Sequence, residues 1–92
     1  MNGTATTIAA QVLRRRAVVR GSVISVVSYR LPWVRTDVEL SDGTGAIVLR
    51  FMGRAELPGF ATGRCMTAEG TPAVERGVLL MRNPLYSFGD KG

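Results

Sequence analysis

Within residues 17–28, six of the twelve positions are valine or isoleucine: Val18, Val19, Val23, Ile24, Val26 and Val27. β-Branched side chains have few rotamers and suit a pleated surface better than a helix, so the run predicts one long first strand. Gly21 stands inside it, where a missing Cβ suggests a bend or a bulge. A strand that long, bent once, can serve two sheets.

The following segments supply its partners. Residues 34–41 alternate: Val34, Thr36, Val38 and Leu40 share one face, and Arg35, Asp37 and Glu39 share the other. Asp42-Gly43-Thr44-Gly45 then reads as a tight hairpin connection, because Asp-Gly followed by Gly supplies positions that tolerate positive φ. Residues 46–52 form the return strand, with Ile47, Leu49 and Phe51 pointing one way and Val48, Arg50 and Met52 the other. Arg35 and Arg50 therefore share the polar face of this hairpin. Residues 53–63 carry three glycines and a proline and hold at most one helical turn. Residues 64–74 and 78–82 predict a second hairpin joined at Glu75-Arg76-Gly77, and Pro84 ends the regular pairing of the last strand. Upstream, residues 4–16 read as a short amphipathic helix with Ile8, Val12 and Leu13 on one face. Thr4 or Thr7 is its cap, and Arg14, Arg15 and Arg16 lie in its last turn, where cations suit the negative end of the helix dipole.

Five antiparallel strands and no internal repeat suit a small closed barrel, which removes the exposed edges of a flat sheet. An SH3-like barrel has the same strand count. The expected division is a helix or arm over residues 1–16, a barrel over 17–88 and a tail over 89–92.

Composition removes most catalytic possibilities. In 92 residues there is no histidine and one cysteine, Cys65, so His-based triads, Cys/His zinc sites, CxxC redox pairs and an internal disulfide are excluded. Cys65 has no local base, no Ser or Lys stands in a nucleophile motif, and the carboxylates are not spaced as a catalytic pair. The expectation is no enzyme, no cofactor and no metal. Asp42 is read as serving its turn and not as a metal ligand. No apolar run spans a bilayer and the N-terminus does not look like a secretion signal, so the expected location is cytoplasmic, without a membrane partner. The formal charge is +5, and arginine supplies 11 of the 12 basic residues.

Several segments together resemble a known family, the oligonucleotide/oligosaccharide-binding (OB) fold of the tRNA-anticodon type, including the wedge domain of RecG-type helicases. They are Val-Val-Arg-Gly-Ser-Val-Ile-Ser-Val starting at Val18, Val-Glu-Leu-Ser-Asp-Gly-Thr-Gly-Ala-Ile-Val-Leu-Arg-Phe starting at Val38, residues 57–70 with Met66, Ala68 and Gly70 in alternation, and residues 78–86 with their closing Asn-Pro-Leu-Tyr. The resemblance implies an all-β, five-stranded Greek-key barrel with a short N-terminal helix. It also implies a groove for single-stranded nucleic acid formed by the second and third strands with the loops joining strands one to two and four to five. Carried over by position, the groove residues are Arg30, Trp33, Arg35, Arg50, Arg54 and Arg76, with Tyr29 and Arg82 as further members and Tyr86 as the barrel-closing tyrosine. The helicase motor is absent, and helicase activity is not implied.

Each assignment has a plainer counterpart. Trp33, beside a proline, is a stacking platform for bases, a plug over the barrel end or a contact for a partner protein. Arg35 contacts phosphate or pairs with Asp37 and Glu39, whose charge opposes phosphate on that face. Phe51, Phe60 and Phe88 read as core. The leading expectation is a non-catalytic module for single-stranded DNA or RNA with little sequence preference. The alternative is a protein-interaction adaptor using the same barrel. Self-association through the edge of the first strand or the N-terminal helix is a further expectation.

Overall fold

The computed structural model describes residues 5, 7–10 and 13–89. Its regular structure is all-β. The strands are β1 (Ala17–Tyr29), β2 (Arg35–Ser41), β3 (Ala46–Met52), β4 (Cys65–Gly70), β5 (Ala73–Glu75), β6 (Val78–Arg82) and β7 (Leu85–Phe88). They form one sheet in the order β5-β6-β3-β2-β1-β4-β7.

The valine run makes a strand of 13 residues that does serve two partners. Residues 17–22 of β1 pair antiparallel with β4, and residues 22–29 with β2. The irregularity, however, is not at Gly21: the register slips between Val23 and Ser25, leaving Ile24 as the extra residue of a bulge. Gly21 has a different reason. A Cβ built there would lie 2.4 Å from the carbonyl oxygen of Ser41, so only glycine lets β1 pass the end of β2 this closely.

The β2–β3 hairpin follows its alternation. Thr36, Val38 and Leu40 of β2 and Ile47, Leu49 and Phe51 of β3 are buried, and the register runs from Ser41 opposite Ala46 to Arg35 opposite Met52. The β5–β6 turn also falls where it was expected. Arg76 and Gly77 take φ of 50° and 79°, the left-handed pair of a tight hairpin.

Four expectations are corrected. There are seven strands and not five, because Pro72 has no N–H to donate and splits the segment 64–74 into β4 and β5, and because the chain re-enters the sheet after Pro84 as β7, antiparallel to β4. The strands are not all antiparallel, since β3 and β6 run parallel. The hydrogen-bonded ladder is not closed. Finally, where an N-terminal helix was expected, the described residues show one 3-10 turn, Ile8–Ala10, and no α-helix, while residues 4, 6 and 11–12 of the expected helix lie outside the described residues. Arg14 has φ 63°, which no helix interior adopts. No helix among the described residues is long and apolar enough to cross a membrane.

A flat sheet would be one layer of backbone, yet the Cα positions extend 35 × 28 × 22 Å, and the shortest extent is about twice the spacing of two packed sheets. The sheet therefore curls over itself. Its two ends are joined covalently, because β4 and β5 stand near opposite ends of the strand order and only Thr71 and Pro72 separate them in the chain. The concave side encloses one apolar cluster including Val19, Val38, Leu40, Leu49, Met66 and Met81. Leu57 and Phe60 anchor the 53–63 connection into it. Phe60 makes edge-to-face contacts with Phe51, Tyr86 and Phe88 at centroid distances of 5.5, 4.9 and 4.9 Å, so the three phenylalanines serve packing.

Candidate functional site

The β2–β3 face carries the polar row that the alternation placed there, and ion pairs already satisfy most of it. Arg50 donates through Nε and one terminal nitrogen to both oxygens of Asp37, at 3.0 and 3.1 Å, across the strand pair. Its other terminal nitrogen lies 3.5 Å from Glu75, which Arg82 also contacts. The hydrogen bond from Arg50 to Asp37 outweighs its desolvation and raises its pKa above the ordinary arginine value. Arg35 leans on the same carboxylate at 3.6 Å, and its guanidinium sits 4.3 Å from the centroid of the Tyr29 ring. The Nε of Arg35 is buried without a hydrogen-bond acceptor.

Three arginines and two acids thus form one network over β2, β3, β5 and β6. A fork donated to a carboxylate is not available to a phosphate, so the middle of this face is largely self-neutralised.

The end of the same face is different. The bond from Gly53 N–H to the Val34 carbonyl, 2.7 Å, ties the exit of β3 to the loop that precedes β2. Buried Thr36 donates to the Arg54 carbonyl at 2.6 Å, and Ser28 donates to the Ala55 carbonyl at 2.8 Å. These bonds hold residues 53–55 against the loop 30–34. Around that junction Tyr29, Arg30, Leu31, Trp33 and Arg54 are all exposed, with Trp33 at 69% and Leu31 at 83% of their free surface. Arg30 and Arg54 make no ion pair with the described residues. The Leu31–Pro32 peptide within this loop is cis.

The five arginines and one tryptophan carried over from the resemblance therefore divide. Arg30, Trp33 and Arg54 gather at the open end of β2 and β3, Arg35 adjoins them through Tyr29, and Arg50 is clamped at mid-strand. Arg76 is exposed in the β5–β6 turn, and β6 begins beside the start of β3, so Arg76 stands at the opposite end of the face. Sequence reasoning missed Thr36 and Ser28, which position the 53–55 segment. A hydroxyl on the apolar face of an alternating strand was the available signal for Thr36, because a buried polar group requires a partner. Glu75 was also missed, since nothing local shows that it reaches across to Arg50.

Elsewhere, a cleft of about 530 Å³ lies between β4 and β6, lined by Arg16, Glu69, Thr71, Leu80, Arg82 and Leu85. Its cations are paired: Arg16 Nε lies 2.9 Å from Glu69, and Arg82 contacts Glu75. Among the described residues no three His, Cys, Asp or Glu side chains gather as a metal site. Cys65 faces Ser22 at 3.9 Å, and among the described residues its side chain makes no other hydrogen bond. The chain matches no family model and no curated protein.

Proposed function

We propose that this chain is a non-catalytic OB-type module that binds single-stranded nucleic acid with little sequence preference, through the open end of the β2–β3 hairpin. The topology supports the fold reading. If β4 and β5 count as one strand broken at Pro72, five strands remain around a partly open ring, with β1 shared between β2 and β4, β3 parallel to β6, and β7 as an addition.

The observation that carries the binding reading is the grouping of exposed Trp33 and Tyr29 with Arg30 and Arg54, two arginines without a carboxylate partner among the described residues. Aromatic planes stack bases whatever their identity, and guanidinium groups contact phosphate. Each stacked base contributes about 1–3 kcal/mol, so one or two of them with a few arginines give micromolar or weaker affinity. The self-neutralised mid-face makes Arg50 a structural residue in this reading.

A second reading, a protein adaptor, draws on the same end: Leu31 and Trp33 are more exposed than a monomer's large apolar residues usually are. Titration of Trp33 fluorescence with an oligo-dT, a matching RNA and a duplex, each at low and high salt, separates the two. The expected result is quenching by single strands that weakens as salt rises, and its loss in the Arg30→Glu, Arg54→Glu double variant. Absence of binding at low salt, by fluorescence and by anisotropy, overturns the nucleic-acid reading and leaves the adaptor.

A further inference from the structure

We infer that the chain associates with a second copy of itself through the unpaired edge of β1, forming an antiparallel β1–β1 ladder over residues 24–29. β1 is the longest strand, but its pairing with β4 ends at Ser22. Beyond that point Val23 is the last residue held on that side, by bonds with Gly63 and Arg64. From Ile24 to Tyr29, no backbone hydrogen bond among the described residues reaches that edge. Among the described residues, the one hydrogen bond on that edge is donated by the Ser28 side chain to the Ala55 carbonyl. Ser28 pairs with buried Thr36, so this contact lies on the core side of the sheet and leaves the outer side open.

Edge strands are normally protected by being short or by carrying charge or proline. The two ends of this sheet obey that rule: β5 has three residues and β7 four. The free half of β1 does not. From Gly21 to Tyr29 the chain has nine residues without a charge or a proline, while the whole protein carries +5. Ile24, Val26, Val27 and Tyr29 are all exposed there.

A second copy is the occupant that fits. Copies of a +5 chain repel one another over most of their surface, so self-association needs a segment without charge, and this edge is one. A two-fold axis normal to the sheet places residues opposite one another only if they share a face, so it passes through the Val26 pair or the Val27 pair. In the first register Ser25 meets Val27, and in the second Val26 meets Ser28. In the second register Arg30 of one copy falls beside Ile24 of the other; in the first it would fall at Ser22, where Cys65 already pairs, so the second is the register this edge admits. A partner recognised by charge finds no complement here. The dimer is a continuous sheet with the Trp33 ends of its two copies far apart, which suits two weak sites engaging one strand.

The test is sedimentation velocity over roughly a hundredfold range of protein concentration, with amide exchange of residues 24–29 followed over the same range. The expected result is a monomer–dimer equilibrium, slower exchange of those amides at high concentration, and a dissociation constant raised about tenfold or more in both Val27→Lys and Ile24→Lys. Melting temperature serves as the folding control. The exchange measurement on the unaltered protein stands even if a variant misfolds. A monomer at every concentration overturns the inference. So does a dimer that survives both lysines, or one that forms without protecting residues 24–29.

Discussion

At residue scale, the positions that matter most are those where one atom decides whether two segments meet. Gly21 is such a position, since any side chain would displace the Ser41 backbone and with it the junction of β1, β2 and β4. Gly21→Ala is expected to cost about 2 kcal/mol or more, visible as a lowered melting temperature, because a backbone contact cannot yield as a flexible side chain does. A variant as stable as the parent would show that the strands shift without penalty. Thr36 works in the opposite sense, by attraction, as its hydroxyl fastens the segment carrying Arg54 to β2. Alternation showed that Thr36 points inward. That its partner is the Arg54 carbonyl follows only from how the connection after β3 returns across the sheet.

At the scale of elements, the N-terminal arm illustrates how a short segment stays in place without a helix. Ile8 is buried in the core, and the Asp42 carboxylate accepts its N–H at 2.8 Å while Thr44 accepts that of Ala9 at 3.2 Å. Partial burial pushes the Asp42 carboxyl up. The Thr44 hydroxyl and the N–H groups of Ile8, Thr44 and Gly45 outweigh that effect and hold its pKa at about 2. A depressed carboxyl stabilises the fold above its unfolded pKa of about 4, and that contribution is lost as pH falls toward 2. Asp42→Ala is expected to lower stability by about 1–2 kcal/mol at neutral pH and to flatten the acid limb of the stability curve between pH 4 and 2. Denaturant melts of both proteins across that range measure it, and an unchanged acid limb would show that the arm does not depend on this carboxylate. The Asp-Gly-Thr-Gly segment was legible as a hairpin turn. Its second task, holding the arm, was not, because the partner lies 34 residues away.

For the whole molecule, the distribution of charge matters more than its sum. A net +5 suggests a broadly cationic surface, yet Asp37 and Glu75 engage Arg35, Arg50 and Arg82, which leaves Arg30 and Arg54 at the loop end of the β2–β3 face, and Arg76 at its other end, without an ion pair among the described residues. For nucleic-acid binding, each phosphate neutralised contributes about −0.7 to the log-log salt slope. Arg50→Ala is therefore expected to leave that slope unchanged while lowering stability by about 1–3 kcal/mol, since Asp37 loses its fork of hydrogen bonds. A slope reduced by one phosphate in Arg50→Ala, measured with an oligo-dT at several salt concentrations, would return Arg50 to the binding surface.

What this sequence determined by itself is local: that the chain is built of strands, that β1 is long, where the β2–β3 hairpin turns and which of its faces is apolar. Periodicity, β-branching and turn residues act between neighbours in the chain and can be read there. Tertiary structure alone decided that Pro72 divides a strand, that β3 and β6 run parallel, that the ladder stays open, and that half of β1 is paired on one edge only among the described residues. It also decided which arginines are spent on carboxylates. Those outcomes depend on contacts between residues distant in sequence, such as Arg50 with Glu75, where geometry and charge are set by the curl of the whole sheet.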